Sequence, residues 1–184
     1  MKKTIVMCFL IFSGLLQADE KVTNFEAVGN LESKHDVGCI KYIEAKNIYT
    51  PADLFKSSAA CANQNNVKDA ARLFLLARIY GSYDIKRVSD SSAHQGIMVL
   101  VQNTFADMGE NANSVEQEIN ENLIGKDKEF SEFCRVVKSI GKPNYHPQYM
   151  ISHGMWAFTD SKGNGLVENF NEDQAWLETL SHCG

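Results

Sequence analysis

Two histidines, two tyrosines, two methionines and a tryptophan fall within the thirteen residues from Asn144 to Trp156. No other stretch of the chain gathers so many side chains able to recognise or react. Tyr, Trp and Met are enriched where protein interfaces bury their strongest contacts, so this segment reads first as an aromatic recognition surface. Tyr145, His146, Tyr149 and Trp156 are its candidate partner-binding residues. A core helix packed under a proline bend would explain the same composition. Metal chemistry fits less well. A helix beginning at Pro147 places His146 and His153 two turns apart, whereas paired ligands on a helix stand three or four residues apart. No metal site is expected.

Arg87, Asp90 and His94 form a second group. Asp90 and His94 stand at i and i+4, so on a helix the carboxylate would orient the imidazole as in an acid–base site. A nucleophile would still be required. Ser91 and Ser92 lie in the same turn, and no Gly-x-Ser-x-Gly elbow presents a serine anywhere. An aspartate at a helix start, favourable to the exposed N–H groups there, explains Asp90 without catalysis. Asp160, Lys162, Asn164 and Gly165 resemble a calcium loop only in outline. Lys162 occupies a ligand position, and Asn171 stands where a bidentate glutamate is required. Phosphate-binding glycine loops, dinucleotide fingerprints and paired-cysteine metal motifs are absent. No cofactor is expected, and the chain reads as a non-enzyme.

The elements that must hold these residues are helical. Only three prolines occur, alternating strand patterns are scarce, and helix punctuation is frequent. Thr50-Pro51 supplies a cap and a first-turn proline, after which Leu54, Ser58 and Cys61 follow at helical spacing. A polar turn over Asn63–Asn66 precedes a second helix carrying Ala70, Phe74 and Ala77, with Gly81 expected to stop it. A third helix is expected from about Asp90 to Asp107. Ser114 with Gln117 predicts a capping box for a fourth, ending before Gly125. A fifth carries Phe130, Phe133, Cys134 and Val137 to about Gly141. A short helix is expected over Tyr149–Phe158, and Asn171 should cap a last one bearing Ala175, Trp176 and Leu180. The stretch Asp19–Lys34 has weak periodicity.

The unit from about Ala52 to Tyr83 resembles a tetratricopeptide or Sel1-like helical hairpin. Leu54 and Ser58 occupy that pattern's large and small positions on the first helix, and Ala70, Phe74 and Ala77 match its second. The resemblance covers one unit of about thirty residues. It implies helical-hairpin packing and a protein-binding role.

At the N-terminus, Lys2 and Lys3 precede an uncharged apolar run, Ile5–Leu16, which ends at Gln17-Ala18 before Asp19-Glu20. This is the pattern of a secretory signal peptide over residues 1–18, too short to span a bilayer. The mature chain is then one domain, 19–184, periplasmic or secreted, without stable membrane insertion once the leader is removed. Its cysteines are Cys39, Cys61, Cys134 and Cys183, an even number in an exported chain. Three pairings are possible. Cys39–Cys61 and Cys134–Cys183 are expected, since each joins a cysteine on a predicted helix to one in a flanking segment.

Without Lys2 and Lys3 the 18 basic residues fall to 16 against 23 acidic, a balance of −7. That sign argues against nucleic acid and anionic lipid and suits a basic protein partner. The sequence therefore predicts an all-α, single compact domain of packed helical hairpins stapled by disulfides. Its expected role is an exported protein-binding module, specifically an immunity or inhibitor protein that blocks a secreted toxin or hydrolase. The alternatives are an envelope hydrolase using His94 or His153, and a scaffold subunit of a secretion assembly.

Overall fold

The computed structural model describes residues 26–124, 127–159 and 163–183. The expected leader, residues 1–18, lies outside them, as do Asp160 and Lys162 of the loop compared with a calcium site. The described residues are helical, with no strand among them, and the only sheet-like pairing is an antiparallel bridge between Val88 and Leu166.

Helix α1, Pro51–Asn63, starts at a capping box. The Thr50 side chain accepts from the Asp53 amide, and the Asp53 carboxylate accepts from the Thr50 amide at 2.8 Å. After the turn at Asn65, where φ is +61°, Asn66 caps α2, Val67–Arg87. The two helices pack as a hairpin in which small residues meet: Ser58, Ala62, Ala70 and Ala77 are all fully buried. Close approach lets the Ser58 hydroxyl donate to the Ala70 carbonyl at 2.7 Å. Residues 52–83 are thus a pair of packed helices, and no tetratricopeptide or Sel1-like repeat is shown among the described residues.

Gly81 does not end α2, contrary to the expectation, because a lone glycine weakens a helix by about 1 kcal/mol without breaking it. Its role is spatial: a Cβ there would stand 2.7 Å from Cδ1 of Ile97 on α3. Helix α3, Gly96–Met108, also begins later than predicted. Asp90 caps a 3-10 turn, Ser91–Gln95, that leads into it. Helix α4, Ala112–Gln117, lacks the expected Ser114 cap and passes into a π-helical segment, Glu118–Ile124. Helix α5, Asp127–Ile140, ends at Gly141, whose φ of +89° is left-handed. The expected Tyr149–Phe158 helix is split into α6, Gln148–Ile151, and a 3-10 turn, Met155–Phe158. Asn171 caps α7, Glu172–Thr179, as expected.

α2 is the central element. Tyr80 and Tyr83 meet Trp176 of α7 edge-on at 5.9 and 5.8 Å. Leu54 and Phe55 of α1, Leu73 and Leu76 of α2, Leu123, Phe133 and Met150 complete a continuous core. Both disulfides form as expected. Cys39–Cys61 ties the segment before α1 to that helix, and Cys134–Cys183 ties α5 to the C-terminal turn. Closing loops of 22 and 49 residues stabilises the fold by roughly 3–4 kcal/mol each in the chain-entropy treatment. No described helix is long and apolar enough to cross a membrane.

Candidate functional site

The segment from Asn144 to Phe158 runs across the C-terminal end of α2 and is fixed from below at two carboxylates. The first is Asp84, fully buried on α2. Its Oδ2 accepts from the hydroxyls of Tyr149 at 2.7 Å and Tyr145 at 3.0 Å, and its Oδ1 accepts from Arg87 Nε at 2.7 Å. The Arg87 guanidinium lies between two aromatic faces, 5.0 Å from the Tyr83 centroid and 4.9 Å from that of Tyr145. Burial, aided by the neighbouring carboxylate, pushes both the Tyr145 and Tyr149 hydroxyls well above the ordinary tyrosine range.

The second anchor is Asp90. Ser92 gives its Oδ1 both an amide hydrogen bond at 2.9 Å and a hydroxyl hydrogen bond at 2.6 Å, and the Trp156 amide reaches its Oδ2 at 2.8 Å. The Met155 amide donates in turn to the Ser92 hydroxyl at 2.8 Å. Burial works to raise the Asp90 pKa, but the hydrogen bonds from Ser92 and Trp156 hold it below the usual carboxylate range. Gly154 explains why the predicted helix breaks here. Its backbone is extended, and a Cβ would collide with the Asp90 carboxylate.

This corrects the expected four-residue contact surface. Tyr149 is fully buried, so it is a core anchor with no face for a partner. Tyr145 is half-buried with its hydroxyl turned inward to Asp84. Only His146 and Trp156 of the four are exposed, and both line one cleft of about 490 Å³ with Val28, Asp90, Gln148 and Asn164. Beside that cleft the Met155–Phe158 turn presents apolar side chains to solvent: Met155 is 66 % exposed, Trp156 48 % and Phe158 54 %. Met155 and Phe158 were not singled out in the sequence. Trp156 two residues beyond Gly154 was the available signal, since a break there ends any buried helical face.

The acid–base grouping does not assemble. Asp90 is spent on backbone and serine donors, and His94 Nε2 donates to the Val88 carbonyl at 2.9 Å instead. His153 Nδ1 pairs with the Asn30 side chain at 2.9 Å, and His146 Nε2 donates to the Asn164 carbonyl at 2.9 Å. Among the described histidine side chains, the one hydrogen-bonded to a carboxylate is His35, whose Nδ1 donates to Asp53 Oδ2 at 2.9 Å. Asp53 also accepts from the Ser33 hydroxyl and from the amides of Lys34, His35 and Thr50. The Ser33 hydroxyl serves the same carboxylate, so no serine is offered to the imidazole. This is a splice between the N-terminal segment and α1. Three or more metal-binding side chains do not converge anywhere among the described residues.

No family model, curated protein or solved structure matches the chain.

Proposed function

We propose that the chain is an exported, non-enzymatic protein-binding module whose recognition surface is the Met155–Phe158 turn and the cleft beside it. The observation that carries this is an apolar turn displayed to solvent on a backbone pinned beneath it. Three large apolar side chains are exposed within four residues, while the amides of Met155 and Trp156 are both hydrogen-bonded to the Asp90–Ser92 corner. A folded chain does not present such a cluster without cost, and a rigid aromatic anchor loses little entropy on binding. Val28, 94 % exposed on the cleft's edge, extends the apolar area.

The reading extends to mechanism. As an immunity or inhibitor protein, the chain would insert Trp156 and its neighbours into or across the active cleft of a secreted toxin or hydrolase. Inhibition is then steric, and the acidic balance steers a basic partner without contributing much to final affinity. Two disulfides suit an oxidising compartment, where such partners act.

The test is affinity capture of the oxidised protein with its own envelope and secreted fraction, followed by calorimetry with the captured protein. A one-to-one complex with a toxin or hydrolase is expected, weakened about 30-fold or more by Trp156→Ala, the size of an interface hot spot. A complex indifferent to both Trp156→Ala and Phe158→Ala would move the surface elsewhere. Recovery of no partner would overturn the reading.

A further inference from the structure

A second cavity, of about 470 Å³, shares no residue with the Trp156 surface. It is lined by Leu75 and Ile79 of α2, Ile124 at the end of the π-helical segment, and Phe130 and Phe133 of α5. The π segment shapes it: Leu123 is fully buried while Ile124, the next residue, is turned 55 % into solvent at the groove's edge. Arg78 is the single charged residue among those lining it.

Arg78 is also the exception among the arginines. Arg72 is paired with Glu118 and Glu129, Arg87 with Asp84, and Arg135 with Glu132. The Arg78 guanidinium has neither an ion pair nor a hydrogen bond among the described residues. Among the described residues, the one arginine without a counter-ion is thus the one that stands at the edge of an apolar groove. A guanidinium matches a carboxylate in a two-pronged fork, which is the strongest pairing it can make. Its volume of about 470 Å³ also lies in the range of small-ligand sites, roughly 300–1,000 Å³. An α-helix about 10 Å across would fill the volume in roughly one turn, whereas a single hydrocarbon chain could lie along it.

We propose that this groove binds a single-chain anionic amphiphile, a free fatty acid, with its acyl chain against Leu75, Ile79, Ile124, Phe130 and Phe133 and its carboxylate on Arg78. This site is additional to the protein-binding surface and does not depend on it.

The test is isothermal titration of the oxidised protein with octanoate, decanoate and laurate, and with dodecyltrimethylammonium as the cationic counterpart, all below their micelle concentrations. Laurate is expected to bind one-to-one, with affinity falling roughly tenfold for every two methylenes removed. Arg78→Gln should weaken laurate by tenfold or more, and Ile124→Ser should weaken it by several-fold; both side chains are exposed, and circular dichroism checks that each variant folds. The ammonium should bind far more weakly than laurate. Absence of saturable laurate binding, equal affinity for the two headgroups, or binding untouched by both variants would each overturn the proposal.

Discussion

Asp53 and Asp84 are both completely buried, and both organise the chain around them, yet their carboxyl groups move in opposite directions. Asp53 is drawn below the ordinary carboxylate range and Asp84 is pushed above it. Burial is the largest influence on each and acts upward on both. The difference lies in the donors. Asp53 accepts from three backbone amides, a hydroxyl and an imidazole, all fixed by the capping box and the segment 33–35. Asp84 receives one guanidinium and two phenols, deep under α6, where the loss of water outweighs them. Aligned amides compensate a buried carboxylate more completely than a single ion pair does. The first arrangement splices a segment onto a helix end; the second clamps a long loop to the middle of the core.

The largest expected effect comes from breaking the second clamp. Asp84→Ala leaves Arg87 buried without its counter-ion and two phenols without an acceptor, and should cost about 3–5 kcal/mol in a chemical denaturation midpoint analysis. Asp53→Ala strands more donors but should cost less, about 2–3 kcal/mol. Segment 33–35 is half-exposed, so water can replace part of what is lost. A larger loss at Asp53 than at Asp84 would reverse the ranking and make the N-terminal splice the main clamp. Gly81→Ala comes next. The added methyl must displace Ile97, which should cost about 1–2 kcal/mol, set against the helix propensity gained. Ile97→Val in the same background should recover part of it.

What was legible in the sequence follows the same division. The Thr50-Pro51 start, the small residues of the hairpin and the Asn171 cap follow from spacing; the parity of the cysteines gives two bridges, and the placement of each pair on a helix and its flank gives the pairing. Apart from the Ser114–Gln117 capping box, a local pattern that does not form, the failures are contacts between distant segments. Gly81 looked like a stop because its purpose, space for Ile97, lies sixteen positions away. Tyr149 looked like a surface aromatic because Asp84, which receives its hydroxyl, is 65 residues distant. Asp90 and His94 had the right spacing for a hydrogen bond, but the 3-10 turn between them sends His94 to Val88 and leaves Asp90 to cap that turn and hold Trp156. Composition located the recognition segment; only long-range pairing decides which of its rings face outward.

The smallest and most discriminating effect is in the pH dependence, where the two carboxylates should act with opposite sign. A carboxyl with a depressed folded pKa contributes stability above its unfolded value, near ~3.9, and that contribution is lost as pH falls through the folded value. Asp53 should therefore make wild type fall off in acid more steeply than Asp53→Asn. A carboxyl with a raised folded pKa behaves in reverse. Its contribution is present below the unfolded value and is lost as pH rises through the folded one, so wild type minus Asp84→Asn should shrink on going upward from about pH 4. Urea denaturation between pH 2 and 7 gives both difference curves, and carboxyl carbon NMR titration of wild type gives the two midpoints directly. Midpoints on the same side of the ordinary value would show that the phenols and Arg87 compensate Asp84 as fully as amides compensate Asp53. The contrast between a spliced and a clamped carboxylate would then fail at its electrostatic root, even if the ranking of the two truncations held.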